Sequence, residues 1–407
     1  MRGSKLFKSR TVRSSAHSTA SASAAVVPES PASAGSAASD NSRAASAAAA
    51  ELMTGLGFVF DVLDDDEGSD LLQFHMEKLS EEAAKYNNSS ITDDMGWPWV
   101  CSQNTASILQ AACRCASLVY GQPGQRQFPS GGSEMEPVLH HTPSVTGTAK
   151  AAGMWKVAAV GTTQKTLLVS VRGTAGRADH AVNLNGEPKD VGSLLRFEGI
   201  PSIQAHGGFL SCAKTLMPVL RGDIARQVAL DKQIAEVVFT GHSAGGAVGS
   251  LVFLHLVSHL PSELSHLKFS LLTFGSVPVT DTDLTTACKS LPHVNLVLTV
   301  VNEHDAVPRA DRPYLESLVD LYRSRYGLPP LHMPALSGLA LGAANHAAAG
   351  TSSACKGAWP VPAAQFCLLG DVVVLRMRMG GVGGDMMMKG GDDGDDESEV
   401  TDYFKAE

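Results

Sequence analysis

One stretch constrains this chain more than any other: Gly241-His242-Ser243-Ala244-Gly245-Gly246. An apolar run suited to a β-strand, Val237-Val238-Phe239-Thr240, precedes it, and an apolar, helix-like run from Ala247 to Leu260 follows. Strand, G-x-S-x-G, helix is the layout of a nucleophile elbow. In that layout the serine occupies a sharp, strained turn, so its hydroxyl projects alone above the sheet. The flanking glycines let strand and helix approach where a side chain would collide. The helix N-terminus below the serine favours negative charge that develops there. The pentapeptide alone fits an ordinary strand-to-helix turn equally well in a chain with 39 glycines. The strand before it and the helix after it favour the elbow.

The surrounding chain alternates strands and helices. Thr105 to Tyr120 carries Ile108, Leu109, Ala112, Ala116 and Val119 at helical spacing, and Gly121 and Pro123 end it. Gly153 to Val160 and Thr166 to Val171 form a hairpin, the second run apolar enough for a buried central strand. A helix from about Leu210 to Leu230 leads to the elbow strand. Phe269 to Phe274 and Asn295 to Val301 are the next strands, Tyr314 to Tyr326 a short helix, and Val372 to Arg376 a last strand. This alternation predicts an α/β fold with a mainly parallel central sheet flanked by helices. In such sheets the active site lies at the carboxyl ends of the strands. Thr174, Ser243, Ser276 and Asp305 each fall just past a strand end, so they belong on one edge.

Composition divides the chain. Residues 1–50 are Ser/Ala-rich and read as a disordered tail, 51–100 as an N-terminal extension, 101–379 as the folded α/β domain and 380–407 as an acidic disordered tail. The 407 residues are 44% hydrophobic, enough for one large core. The first basic residues (Arg2, Lys5, Lys8, Arg10, Arg13) are followed by no apolar segment of a secretory signal, although a basic, Ser-rich, acid-poor start also suits an organelle transit peptide. No apolar run reaches the roughly 18 residues of a transmembrane helix. A net charge of −9 argues against nucleic acid as a partner. The seven cysteines form no C-x-x-C pair, which fits reduced thiols and a cytoplasmic location. His255 and His259 have a metal-compatible spacing but lack an acidic third ligand, so they read as packing residues, and neither a metal nor a cofactor is expected. Oligomeric state leaves no mark in the sequence.

A serine hydroxyl is a poor nucleophile at neutral pH. It needs a histidine base, and the base needs a carboxylate that sets its tautomer and stabilises the imidazolium. Asp305 ends a strong β run and lies after Ser243, in the chain order of α/β-hydrolases. Asp281 and Asp283 are rivals further from their strand end. The oxyanion hole needs the N–H of Ala244 and a donor from an earlier strand loop, for which Thr174 is correctly placed.

Val171-Arg172-Gly173-Thr174, His206-Gly207-Gly208-Phe209, the elbow, Thr273-Phe274-Gly275-Ser276-Val277-Pro278 and Val301-Asn302-Glu303-His304-Asp305-Ala306-Val307-Pro308-Arg309 occur in that order. Together they resemble the class 3 (fungal-type) lipase family of α/β-hydrolases, over roughly Thr105 to Arg376. The resemblance implies Ser243 as nucleophile, Asp305 as triad acid, and Thr174 with Ala244 as oxyanion hole. It implies a triacylglycerol or acylglycerol lipase-like hydrolase. Such an enzyme cleaves carboxylic esters of lipids through an acyl-enzyme and meets its substrate transiently at a membrane or lipid-droplet surface. The chain departs from the family at the histidine, which the family carries after the last core strand; here no histidine follows His346. Three readings stand: the domain continues past Glu407, His332 or His346 serves as base, or the chain is a non-catalytic α/β-hydrolase-fold protein that binds lipid or a partner. Acyl transfer on the same serine is a further possibility. Gly186 to Gln204 and Leu328 to Ala358 are the candidate covers of the pocket.

Overall fold

The central strands form where aliphatic and β-branched residues run nearly without interruption. The computed structural model describes residues 77–88, 97–121, 135–148, 150–158, 162–175, 182–183, 186–303, 305–330, 357–376 and 404–406. The strands are β1 (Trp97–Trp99), β2 (Met135–His141), β3 (Ala152–Ala158), β4 (Lys165–Val171), β5 (Pro188–Asp190), β6 (Gln204–His206), β7 (Ile234–His242), β8 (Lys268–Phe274), β9 (Val294–Asn302), β10 (Asp371–Leu375) and β11 (Phe404–Ala406). The helices are α1 (Gln103–Leu118), α2 (Pro143–Thr146), α3 (Gly207–Leu230), α4 (Ala244–Ser258), α5 (Thr285–Lys289) and α6 (Arg312–Ser324).

A nine-stranded sheet runs in the order β1-β11-β10-β9-β8-β7-β4-β3-β2. Its centre, β4-β7-β8-β9-β10, is parallel, and the pairs toward both edges are antiparallel. The short strand Phe404–Ala406 thus lies within the stretch expected as an acidic tail. The β3–β4 hairpin pairs Ala158 with Lys165, as the two apolar runs predict.

Successive side chains of a strand point to opposite faces, and here both faces are covered. Leu167, Val169, Val237, Phe239, Phe269 and Leu271 pack toward α3 and α4. Leu168, Val238, Leu272 and Leu298 pack toward Ala111, Ala112 and Cys115 of α1. This explains the nearly continuous apolar character of β4 and β7. Each such fully buried side chain contributes about 1.5–3 kcal/mol. Ser102 caps α1 by accepting from Thr105 N at 3.1 Å. In α4 every residue from Ala244 to Leu254 is buried, because the helix is held between the sheet and α3.

Gly186 to Gln204, one of the two candidate pocket covers, holds a two-stranded sheet of β5 and β6 rather than an open polar loop. Val191, Leu195, Phe197 and Ile203 from this stretch are buried in the main core. His255 on α4 bonds the Leu194 carbonyl at 2.8 Å. A segment so anchored is part of the body of the domain. The other candidate cover lies largely outside the described residues. Within 51–100, the helical turn over 77–83 packs Leu79 against Leu318, Leu321 and Tyr322 of α6, and Arg325 pairs with Glu81 at 2.8 Å.

Candidate active site

Parallel register brings the strand ends into line. Val171 pairs with Gly241, Gly241 with Thr273, and Phe274 with Val300. Thr174, Ser243, Ser276 and Asp305 follow those ends and lie on one edge of the sheet, as expected.

Ser243 is the one non-glycine residue at positive φ among the described residues, with φ 55° and ψ −132°. Such a conformation costs about 1–3 kcal/mol and persists only when the surroundings impose it. Here they do. Ser243 N donates to Phe274 O at 3.1 Å, and Ser243 O accepts from Gly246 N at 2.9 Å. A side chain on Gly245 would collide with the backbone of the β4 loop, its Cβ lying 2.6 Å from Gly173 N and 2.7 Å from Arg172 C. The missing side chain lets the first turn of α4 close onto the loop that carries Thr174. Ser243 is only 8% exposed, and no hydrogen bond reaches its hydroxyl among the described residues.

Ala244 is the first residue of α4, where backbone N–H groups have no intrahelical acceptor. Its N–H is available to an oxyanion above the serine. Thr174 follows the end of β4, and Asn183 Nδ2 donates to its Oγ1 at 2.9 Å. The Thr174 hydroxyl therefore receives one hydrogen bond and keeps its own hydrogen to give. The Asn183 carbonyl in turn bonds His206 Nε2 at 3.2 Å, while His206 Nδ1 accepts from Phe209 N at 3.4 Å. An accepting Nδ1 assigns the hydrogen to Nε2. The ring stacks on Phe209 with centroids 4.0 Å apart. Burial pushes its pKa down to about 4, so it is neutral at pH 7. The His-Gly-Gly-Phe motif thus supports Thr174 through Asn183, a residue to which the sequence assigned no role.

Asp305 sits in a tight turn after β9, its N bonded to Asn302 O at 2.9 Å and its Oδ1 accepting from Val307 N at 2.9 Å. Its Oδ2 faces Gly275, which holds φ 49°; a Cβ there would lie 2.5 Å from that oxygen. The rival carboxylates serve turns instead. Asp281 Oδ1 accepts from Gln204 N at 2.8 Å, and Asp283 Oδ1 accepts from Thr285 N at the start of α5 at 2.8 Å. His332, His346 and His304 lie outside the described residues. His242, beside the serine, directs its ring nitrogens elsewhere: Nδ1 is 3.4 Å from the Tyr120 hydroxyl, and Nε2 lies on the Gly275 side, near Asp305.

The rings of His255 and His259 are tilted by 33° with centroids 5.0 Å apart, and no group of three metal-binding side chains occurs among the described residues. A cleft of about 200 Å³ opens near the amino ends of the strands, lined by Thr105, Ile108, Glu236 and Ser270 among others. Its one carboxylate, Glu236, accepts from Ser270 Oγ at 2.5 Å and Asn295 Nδ2 at 3.0 Å. It holds no nucleophile–base pair, so the strand-end constellation is the better candidate.

Residues 168–314 match the family model described as lipase (class 3). Comparison with curated proteins returns no match. Among solved structures, the chain is similar to the Rhizomucor miehei lipase–propeptide complex, with 18% identity and a TM-score of 0.40 over 53% of this chain and 66% of that one, just under two thirds. It is also similar to Lip2 lipase from Yarrowia lipolytica, with 14% identity and a TM-score of 0.39 over 53% of this chain and 77% of that one. A triacylglycerol lipase from Penicillium expansum matches with 15% identity and a TM-score of 0.38 over 52% of this chain and 75% of that one. The stretch 168–314, about a third of the chain, is thus similar to the class 3 lipase family, and the parallel centre of the sheet with helices on both faces is an α/β fold.

Proposed function

We propose that this chain is a serine hydrolase that cleaves carboxylic esters of lipids, of the acylglycerol class, through an acyl-enzyme on Ser243. The strained backbone of Ser243, at the junction of β7 and α4, carries the reading. Strain of this kind is retained where geometry matters more than stability. Ser243 Oγ attacks the ester carbonyl. The oxyanion receives the N–H groups of Ala244 and Thr174 and the Thr174 hydroxyl, whose hydrogen Asn183 leaves available. Asp305 orients the histidine that takes the serine proton and returns it to the leaving alcohol. His332 and His346 are the candidates for that base within the chain. Water then releases the acyl group by the same steps. The substrate is met at a membrane or lipid-droplet surface.

A fluorophosphonate probe tests this reading. Labelling of the full chain that disappears in Ser243→Ala, and falls sharply in Asp305→Asn, is the expected result. A second reading, a non-catalytic fold that binds lipid or a partner, draws on the unbonded Ser243 hydroxyl among the described residues. Absence of labelling in a folded chain would favour it. Product analysis with an alcohol acceptor separates hydrolysis from acyl transfer.

A further inference from the structure

The cleft at the far end of the sheet has no part in the reading above. It lies between the first turn of α1 and the amino ends of β4, β7, β8 and β9. Along β7, at roughly 3.3 Å per residue, that is about 20 Å from Ser243. Its floor is apolar: Ile108 of α1 with Val157, Val238, Leu272 and Leu296 of the sheet. Val157, Val238 and Leu272 belong to the core packed against α1. One charged side chain lines the cleft, Glu236. Side chains two apart share a face of a strand, so Glu236 stands on the α1 side with Val238.

Glu236 is held at one oxygen and open at the other. Its Oε1 accepts from Ser270 Oγ of β8 at 2.5 Å and from Asn295 Nδ2 of β9 at 3.0 Å. Ser270 Oγ accepts in turn from Leu296 N at 3.1 Å, where the β8–β9 register shifts. Two donors fill the lone pairs of Oε1. Oε2 takes no hydrogen bond and no ion pair among the described residues. The basic side chains at the neighbouring strand ends turn elsewhere. Lys268, paired with Glu236 in the β7–β8 register, donates to Pro292 O at 2.9 Å. Lys165 and Lys156 reach Asp231 at 3.0 Å and 3.4 Å. No residue lining the cleft is basic.

We propose that this cleft binds a small primary amine, with its ammonium group on Glu236 Oε2 and its apolar body on the floor. The lining excludes the other ligand classes. An anion would face the carboxylate. A hard metal ion takes six or more oxygen ligands, and the cleft offers one carboxylate. A quaternary ammonium donates no hydrogen bond and is held by aromatic rings, of which the lining has none. A primary ammonium has three donors. One serves Oε2, and Asn104 and Ser107, which also line the cleft, offer acceptors for the others. The volume of about 200 Å³ sets the size. An apolar cavity of about 150 Å³ holds a benzene ring, so a ring or short chain carrying one amine fits. The site is independent of the chemistry proposed for Ser243.

Benzylamine is the probe, and ¹³C-methyl NMR on the full chain reads where it binds. At pH 7 it should shift the Ile108 and Leu272 methyl signals saturably and leave Val171, at the serine edge, unmoved. Benzyl alcohol, of the same size without the charge, should bind about tenfold more weakly or worse, because charge-assisted hydrogen bonds are the stronger ones. Glu236→Gln keeps an oxygen for Ser270 and Asn295 and removes the charge. It should weaken benzylamine about tenfold or more and leave benzyl alcohol unchanged. Absence of a saturable shift, or a shift at Val171 in place of Ile108, overturns the proposal. So does equal affinity of benzylamine for the two proteins, or of the amine and the alcohol for the unaltered chain. Glu236 would then only join β8 to β9. A chain that binds benzylamine as expected but takes no fluorophosphonate label overturns the serine hydrolase reading instead.

Discussion

The Asn183 amide donates to the Thr174 hydroxyl at 2.9 Å and leaves that hydroxyl one hydrogen to give. If the hydrogen is spent on the oxyanion, Thr174→Val, which keeps the backbone N–H, should lower kcat by about a hundredfold, the usual effect of one lost donor. Asn183→Ala frees the hydroxyl to rotate and should cost less, about tenfold. The double variant should be no slower than Thr174→Val, because both act through the same bond. Hydrolysis of a short-chain ester by the three variants checks this. Additive losses would give Asn183 a separate role.

The Ser243 backbone holds φ 55°, where glycine rests without the Cβ penalty. Ser243→Gly should therefore stabilise the fold by about 1 kcal/mol while abolishing fluorophosphonate labelling. Ser243→Ala should abolish labelling with no gain in stability, since alanine keeps the Cβ. Thermal melts of the two variants side by side separate the backbone effect from loss of the hydroxyl.

His206 ties stability to pH. Its pKa is about 4 in the folded chain because the ring is buried on Phe209, against a value of 6.5 in an unhindered histidine. Below pH 6.5 the unfolded chain takes up a proton that the folded chain refuses. The stabilisation is thus whole above pH 6.5 and is lost as pH falls through 4, by about 3 kcal/mol over that window. Tm measured from pH 7 to pH 4 should fall more steeply in the unaltered chain than in His206→Asn, which has no proton to bind.

Much of the fold is legible in the sequence because its signals are local. The central strands are unbroken apolar runs, since both sheet faces are covered. Ser243, Thr174 and Asp305 each follow such a run directly. β2 escapes notice because it reads Met-Glu-Pro-Val-Leu-His-His and its pairing slips between Pro137 and Leu139. The stretch 186–204 looks like a polar loop because its strands have only three residues each, and its buried side chains are spaced singly. The long-range contacts around the strand ends are hidden for another reason. Tyr120 and His242 stand 122 positions apart, and Asn183 reaches Thr174 across a loop. No periodicity or motif joins residues that meet only when the sheet edge is assembled.

Gly275 offers the sharpest test of Asp305. It carries two demands at once, a positive φ of 49° and an empty Cβ position 2.5 Å from Asp305 Oδ2. Gly275→Ala meets the first with a backbone cost of about 1–2 kcal/mol. It meets the second only by moving the carboxylate, because the other contact of Asp305, through Oδ1 to Val307 N, belongs to a turn that resists adjustment. Gly327 provides the control: its φ is 68°, and nothing lies within 4 Å of its Cβ position. Gly327→Ala carries a similar backbone cost with no crowding. Gly327→Ala should lower Tm by a few degrees, and Gly275→Ala, which adds the crowding, by more. Only Gly275→Ala should slow Ser243 labelling, by about tenfold or more, since a displacement near 1 Å of a catalytic group costs on the order of a hundredfold. Equal labelling rates in the two variants would mean that the position of the Asp305 carboxylate is immaterial, and would remove it from the triad.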